Sequence, residues 1–285
     1  MEHQILNTIL SVFALAFGGV IGSFLNVCVY RIPRNESIIN PGSHCPKCNN
    51  PIAWYDNIPV ISWLALGAQC RHCKEPISWQ YPLVESITAT LFLLVYWRFG
   101  LVVATPVYML LAAALVLVTF VDLTDWTIPD QVTIPGIVIG LGCSLIAMFF
   151  PNSGLRIEHI HSDIAVIDSV LGIVAGGASL YLLDKLTVLL LQKRGMGLGD
   201  VKLLAMLGAF TGWKGVILIL IISSFVGSLV GIAVVAIQRY RGTDDRDHYL
   251  PFGPYLSLAG FIVVLFGADI VGAYLRFIGL SANAM

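Results

Sequence analysis

Charge is what this 285-residue chain has least of: Asp, Glu, Lys and Arg together make up 12% of it, against roughly 25% in soluble domains. That scarcity excludes an ordinary water-soluble globule. With 57% hydrophobic residues and a mean hydropathy of +0.84, the solvent the sequence is written for is lipid. An excess of either sign is also missing. Sixteen basic and seventeen acidic residues leave a net charge of −1, so no basic field draws nucleic acid, which is set aside as a partner. Nor is there a secretory n-region. Met1-Glu2-His3-Gln4 carries no Lys or Arg, and the apolar stretch that follows, Ile5 to Tyr30, is too long for a cleaved leader. No internal repeat, coiled-coil heptad or low-complexity tract stands out.

What the chain does have is long apolar runs. Runs able to cross a bilayer, about 20 residues each, lie at 7–29, 83–98, 104–121, 132–150, 164–183 and 254–277, and 201–237 is long enough for two, interrupted at Thr211-Gly212-Trp213-Lys214-Gly215. The expectation is therefore an all-α integral membrane protein of eight transmembrane helices. Arg31 and Arg34 directly follow the first run, which by the positive-inside rule puts the N-terminus outside. Alternation then assigns 31–82, 122–131, 184–200 and 238–253 to the cytoplasm. Twelve basic residues fall on that side or at its boundary: Arg31, Arg34, Lys47, Arg71, Lys74, Lys185, Lys193, Arg194, Lys202, Arg239, Arg241 and Arg246. Only Arg98, Arg156, Lys214 and Arg276 fall outside, a bias that seven helices would spoil. Three parts follow: a first transmembrane helix at 1–30, a cytoplasmic loop at 31–82 and a seven-helix membrane domain at 83–285.

The loop carries Cys45-Pro-Lys-Cys48 and Cys70-Arg-His-Cys73. Two Cys-x-x-Cys turns supply the four thiolates of a closed tetrahedral zinc site, a structural centre with no open position for catalysis. Bound metal also supplies folding energy to a loop with little core of its own. Disulfides or redox pairs are the alternative, disfavoured in a reducing cytosol. His44 and His72 read as neighbours of the site rather than ligands, and Cys28 and Cys143 as small apolar core residues.

Carboxylates at membrane depth are functional candidates by default. Asp122 ends the third run and Asp200 opens the sixth, so the topology sets both at the cytoplasmic ends of their helices, at similar depth. Two carboxylates sharing a proton are what an aspartic protease needs: one takes a proton from water while the other gives one to the substrate. The helix dipole assigns the shared proton to Asp122, at a helix C-terminus, and the base to Asp200, at an N-terminus. Simple polar helix ends would explain each acid singly. Asp125 and Asp130 read as turn residues, Asp184 as an interfacial helix end, and Asp163 and Asp168 as lying towards the outer face.

Several ordered motifs together resemble the type IV prepilin peptidase family over nearly the whole chain. They are Gly22-Ser-Phe-Leu-Asn26-Val continuing to Tyr30-Arg-Ile-Pro33, the paired cysteines, Tyr81-Pro-Leu-Val-Glu85, Asp122 with Ile128-Pro-Asp130, Gly197-Leu-Gly199-Asp200 as the Gly-x-Gly-Asp motif, and Pro251-Phe-Gly-Pro254-Tyr-Leu. The resemblance implies an aspartic intramembrane-type protease with Asp122 and Asp200 as catalytic residues. It would cleave type IV prepilins or type II secretion pseudopilins after the glycine that ends a basic leader, at the cytoplasmic face of the bacterial inner membrane. It also implies S-adenosylmethionine-dependent methylation of the new N-terminus. No Rossmann-like glycine motif marks a methyl-donor site, no residue is assigned to one, and the glycine pair often found before the second knuckle in relatives reads Gly67-Ala68 here. Glu85 is a candidate to assist methylation or an interfacial acid with no assigned partner. A competing class, an ion- or proton-coupled transporter using the same carboxylates, fits the hydropathy but not the cysteine loop, and a metal-stabilised scaffold would need no carboxylate pair.

Overall fold

A computed structural model describes residues 2–150, 153–155, 165–192, 197–241 and 250–277. Arg156, Asp163, Lys193, Arg194, Gly195 and Arg246, on which parts of the sequence reading fall, lie outside the described residues. The described chain is helical, with no β-strand: α1 (Glu2–Arg31), a 3₁₀ turn (Trp54–Asn57), α2 (Ile61–Ala65), α3 (Gln80–Phe99), α4 (Ala104–Asp125), α5 (Asp130–Phe149), α6 (Ala165–Leu191), α7 (Leu198–Arg241) and α8 (Gly253–Phe277). Lipid cannot hydrogen-bond a peptide group, so a spanning segment must satisfy its backbone within itself, and the helix does so. Six of these helices, α1 and α4 to α8, are long and apolar enough to cross a bilayer, which makes the protein a multi-pass membrane protein.

The chain forms two compact units, Met1–Val121 and Asp122–Met285. In the first, α1 and α3 pair antiparallel through small residues. Gly18 and Gly22 lie one turn apart and abut the backbone of α3, where a Cβ on either would stand 2.7 Å from the Cα of Ala89 or Glu85. Apolar side chains gain nothing over lipid by pairing with each other, so contact of this kind rests on close van der Waals fit. Polar ties fix the register: Asn26 Nδ2 donates to the Tyr81 carbonyl at 3.1 Å, and the Tyr96 hydroxyl to Asn7 Oδ1 at 2.7 Å. Just past α1 the chain is latched by Arg31, which is buried and donates to the carbonyls of Ser37 and Pro41, both at 2.8 Å.

In the second unit α6 and α7 approach until Gly172 meets Gly208, with the Gly208 carbonyl where a Gly172 Cβ would stand, and Gly176 meets the Leu204 carbonyl. Ser169 Oγ donates across this seam to the Ala209 carbonyl at 2.6 Å. On another side Gly136 and Gly140 of α5 admit Met206 and Ala209. The expected break inside 201–237 is a single residue. Gly212 takes φ 67°, ψ 178° within α7, a backbone region essentially closed to residues with a Cβ, while its neighbours stay helical.

Filling the α6–α7 seam should be far costlier than filling open space. Gly172→Val is expected to lower the thermal midpoint in detergent by the equivalent of at least about 1–3 kcal/mol. Gly142→Ala, with nothing within 4 Å of the added methyl, should leave the midpoint unchanged or slightly raised.

Candidate functional site: a four-cysteine cluster and a buried carboxylate pair

The two Cys-x-x-Cys turns fold alike. In the first, Cys45 N–H donates to the Asn50 carbonyl and Asn49 N–H to the Cys45 carbonyl; in the second, Cys70 N–H donates to Glu75 and Lys74 N–H to Cys70, all at 2.8–3.1 Å. Asn49 and Lys74, each following a second cysteine, both take positive φ, and matching bridges close the knuckles at His44–Pro51 and Gln69–Pro76. This equivalence corrects the reading that no repeat exists. His44-Cys-Pro-Lys-Cys-Asn-Asn-Pro-Ile-Ala-Trp54 and Gln69-Cys-Arg-His-Cys-Lys-Glu-Pro-Ile-Ser-Trp79 share Cys-x-x-Cys-x-x-Pro-Ile-x-Trp at one spacing. The signal was in the sequence, hidden by its shortness.

The sulfur atoms of Cys45, Cys48, Cys70 and Cys73 lie within 4.8 Å of one another, and Cys45 Sγ stands 3.8 Å from Cys73 Sγ. A tetrahedral shell with Zn–S bonds of about 2.3 Å has sulfurs about 3.8 Å apart, so the cluster could hold such an ion. Its protonation is uneven. N–H groups of Cys73 and His72 bring the Cys70 thiol down to about 6. For Cys73 the Glu75 N–H pulls the same way, but burial and the three other thiols outweigh it and push it up to about 12. Four thiolates this close need a cation between them. His44 and His72 are exposed and neither joins the sulfur cluster. The Asp56 carboxylate receives Arg71 Nε and Nη2 at 2.7 and 2.6 Å, and that guanidinium holds it below the usual carboxylate range.

Asp122 and Asp200 are both buried and close enough for their charges to interact. Asp200 lies in the first turn of α7, where its Oδ2 accepts the Gly197 N–H at 3.3 Å and its own N–H donates back to the Gly197 carbonyl at 3.2 Å. Its Oδ1 is buried and has no hydrogen-bond partner among the described residues. Asp122 is in the last turn of α4, yet its Oδ2 accepts the N–H of Gly253, the first residue of α8, at 3.0 Å. A helix N-terminus therefore faces each acid, and the α8 dipole offsets the α4 C-terminus on which the sequence argument placed Asp122. Ile128 packs against the starts of both α7 and α8. A Cβ on Gly199 would stand 2.8 Å from its Cβ, and one on Gly253 3.2 Å from its Cδ1, so both glycines keep the backbone close.

Other residues resolve differently from their sequence readings. Asp130 opens α5 and receives Lys202 Nζ at 2.7 Å on both oxygens, an exposed ion pair beside the Asp200 turn. Glu85 is not without a partner: it is buried, and its Oε2 accepts the Val60 N–H at 2.7 Å. Cys28 and Cys143 are buried, as read, and Asp168 is buried in the first turn of α6.

An all-helical multi-pass chain with a cysteine-knuckle loop and a buried pair of aspartates defines the class. Residues 16–99 match the bacterial peptidase A24 N-terminal domain, and residues 109–232 the type IV leader peptidase family. The chain is 36% identical, over 94% of its length and 95% of the relative's, to the prepilin leader peptidase/N-methyltransferase of Xanthomonas campestris. It is 34% identical, over 94% of both chains, to the protein of that name in Pseudomonas aeruginosa, and 36% identical, over 91% of both, to that of Aeromonas salmonicida. The chain belongs to the type IV leader peptidase family. No solved structure matches it.

The Gly67-Ala68 departure has a backbone explanation. Both residues take positive φ, 62° and 59°, which glycine adopts freely and alanine does not. Ala68→Gly is therefore expected to hold or raise stability, by up to about 1 kcal/mol in chemical unfolding, with no change in metal content.

Proposed function

We propose that this chain is a prepilin leader peptidase and N-methyltransferase of the bacterial inner membrane, with Asp122 and Asp200 as its catalytic pair. The observation that carries the reading is the pair itself: two buried carboxylates from helices far apart in sequence, one with an oxygen that no described residue satisfies. A water at Asp200 Oδ1 would lose a proton to one carboxylate as its oxygen attacks the scissile carbonyl, whose oxygen takes the proton of the other carboxyl; a hydroxyl proton of the adduct then returns to that second group, the proton taken from water passes to the amide nitrogen, and the C–N bond breaks to release the leader. The glycine-bearing helix ends would let an extended peptide lie close to the two acids. Family membership supports peptide cleavage, and nothing favours ion or proton transport by these carboxylates.

The membrane arrangement follows the same reading. The six apolar helices, together with α3 and the division of α7 at Gly212, amount to eight crossings. The charge bias of the loops supports an outside N-terminus and a pair at the cytoplasmic face. There the leader of a type IV prepilin or pseudopilin is in the cytosol while its apolar segment stays in lipid. Residues 1–30 are the first crossing, 31–82 the metal-binding loop and 83–285 the remaining seven crossings. Cys45, Cys48, Cys70 and Cys73 hold zinc as a closed structural site, and S-adenosylmethionine supplies the methyl group for the new N-terminus.

Asp122→Asn and Asp200→Asn keep size while abolishing proton relay. Each is expected to fold and to cut a prepilin substrate in liposomes at least about 10²–10⁴-fold more slowly than the native chain, and near-native cleavage by either removes it from the catalytic assignment. Metal analysis should find one zinc per chain. Because the ligands bind as thiolates, chelator should strip it more readily as pH falls from 7.5 towards 5.5, and a site indifferent to pH would not be a four-thiolate one.

A further inference from the structure

We infer that residues 57–66 are a lipid-facing anchor, which holds the cysteine-bearing loop against the membrane instead of leaving it free in the cytosol. The partner surface is the acyl region of the cytoplasmic leaflet. This rests on the chain being a membrane protein, not on the catalytic assignment.

Depth is the first observation. α3 has 20 residues, about 30 Å of helix, which matches the hydrocarbon core of a bilayer. Its first turn is level with Asn26 of α1, through the Asn26–Tyr81 bond. The loop does not stay above that level. Ser23 Oγ reaches Asn57 Oδ1 at 3.5 Å, and a Cβ on Gly19 would stand 3.3 Å from Pro59. Gly19 is seven residues before Asn26, so Pro59 lies about 10 Å farther along the helix pair than the start of α3.

The second observation is that this segment is inside out by the standards of water. In α2 Ser62 is buried, while Ile61 and Leu64 are 64% and 65% exposed. No charged residue occurs between Asp56 and Arg71. The exposed apolar face continues the outward face of α1, where Val20 and Phe24 are also exposed at this level, and that continuity argues for lipid as the occupant. Each knuckle repeat ends in a tryptophan, Trp54 before this segment and Trp79 at the start of α3, both exposed, as interfacial tryptophans are.

Third, the backbone N–H groups of Ile58, Val60, Ile61, Ser62, Leu64 and Leu66 all have protein acceptors, as chain at this depth requires. Val60 has φ 61°, ψ −46°, and Ile61 N–H bonds back to the Pro59 carbonyl at 2.6 Å, a γ-turn of the rare, strained type. The Val60 N–H it turns outward is taken by Glu85. Ser62 Oγ accepts the Ile58 N–H at 3.0 Å and donates to the Tyr55 carbonyl at 2.9 Å. Glu85 thus positions the turn at Val60.

The test places a genetically encoded fluorescent amino acid at position 64 of the full chain, reconstituted in phosphatidylcholine vesicles brominated along the upper acyl chains. Reference probes sit at Phe13 of α1 and Asn49 of the first knuckle. Quenching at position 64 by brominated lipid should be at least about twofold, with little by aqueous iodide, as for a segment 5–10 Å into the boundary; Asn49 should show the reverse. Iodide quenching at 64, or protection from both quenchers by a protein partner or a second copy, overturns the inference. Loss of lipid quenching at Phe13 as well overturns the membrane reading with it. In Glu85→Ala the probe at 64 should become accessible to iodide, and Glu85→Gln, which keeps an acceptor, should restore lipid quenching. An unchanged profile in Glu85→Ala overturns the positioning role of Glu85.

Discussion

Everything in this molecule answers to one constraint: a peptide group in hydrocarbon has only the protein to bond with. Helices meet the constraint over most of the chain, and their ends are where it becomes acute, because the first N–H groups and last carbonyls of a helix lack internal partners. The aspartate pair is built from such ends. Gly197 N–H, before the first turn of α7, goes to Asp200, and Gly253 N–H, at the start of α8, goes to Asp122. Helix termini that would otherwise be liabilities at this depth become the means of fixing two acids.

Close packing is the second consequence. Where apolar side chains find lipid as congenial as each other, specificity comes from backbones that can touch, and glycine is the residue that lets them. The α1–α3 pair uses Gly18 and Gly22, and the α6–α7 pair uses Gly172, Gly176 and Gly208. The latter seam belongs to the unit that carries both acids, and it packs the same helix, α7, whose first turn presents Asp200.

Legibility from sequence followed the range of the interactions. Helix existence, the cysteine knuckles and the placement of Asp122 and Asp200 at helix ends depend on local runs and spacing, and these could be read directly. The second helix terminus at Asp122 could not, because Gly253 is 131 residues away, although its Pro251-Phe-Gly-Pro254 motif stands out in the sequence. The partner of Glu85 is hidden from the sequence for the same reason: its acceptor role is created by a γ-turn at Val60 that no propensity announces. The interruption in 201–237 is visible as a Thr-Gly-Trp-Lys-Gly cluster, but its confinement to Gly212 is not, since four of the five residues keep helical φ/ψ. Ala68 shows the converse, a departure from a family pattern that becomes intelligible once the backbone is seen to need positive φ rather than the absence of a side chain.

Arg31 carries an implication for how the chain is made. In the folded loop its guanidinium is buried against the carbonyls of Ser37 and Pro41, so it no longer presents a hydrated charge at the bilayer surface. A cation orients a nascent helix only while it is hydrated. On the topology proposed above, Arg31 would steer α1 first and close the turn into the first knuckle afterwards, so α1 would insert before the cysteine loop condenses.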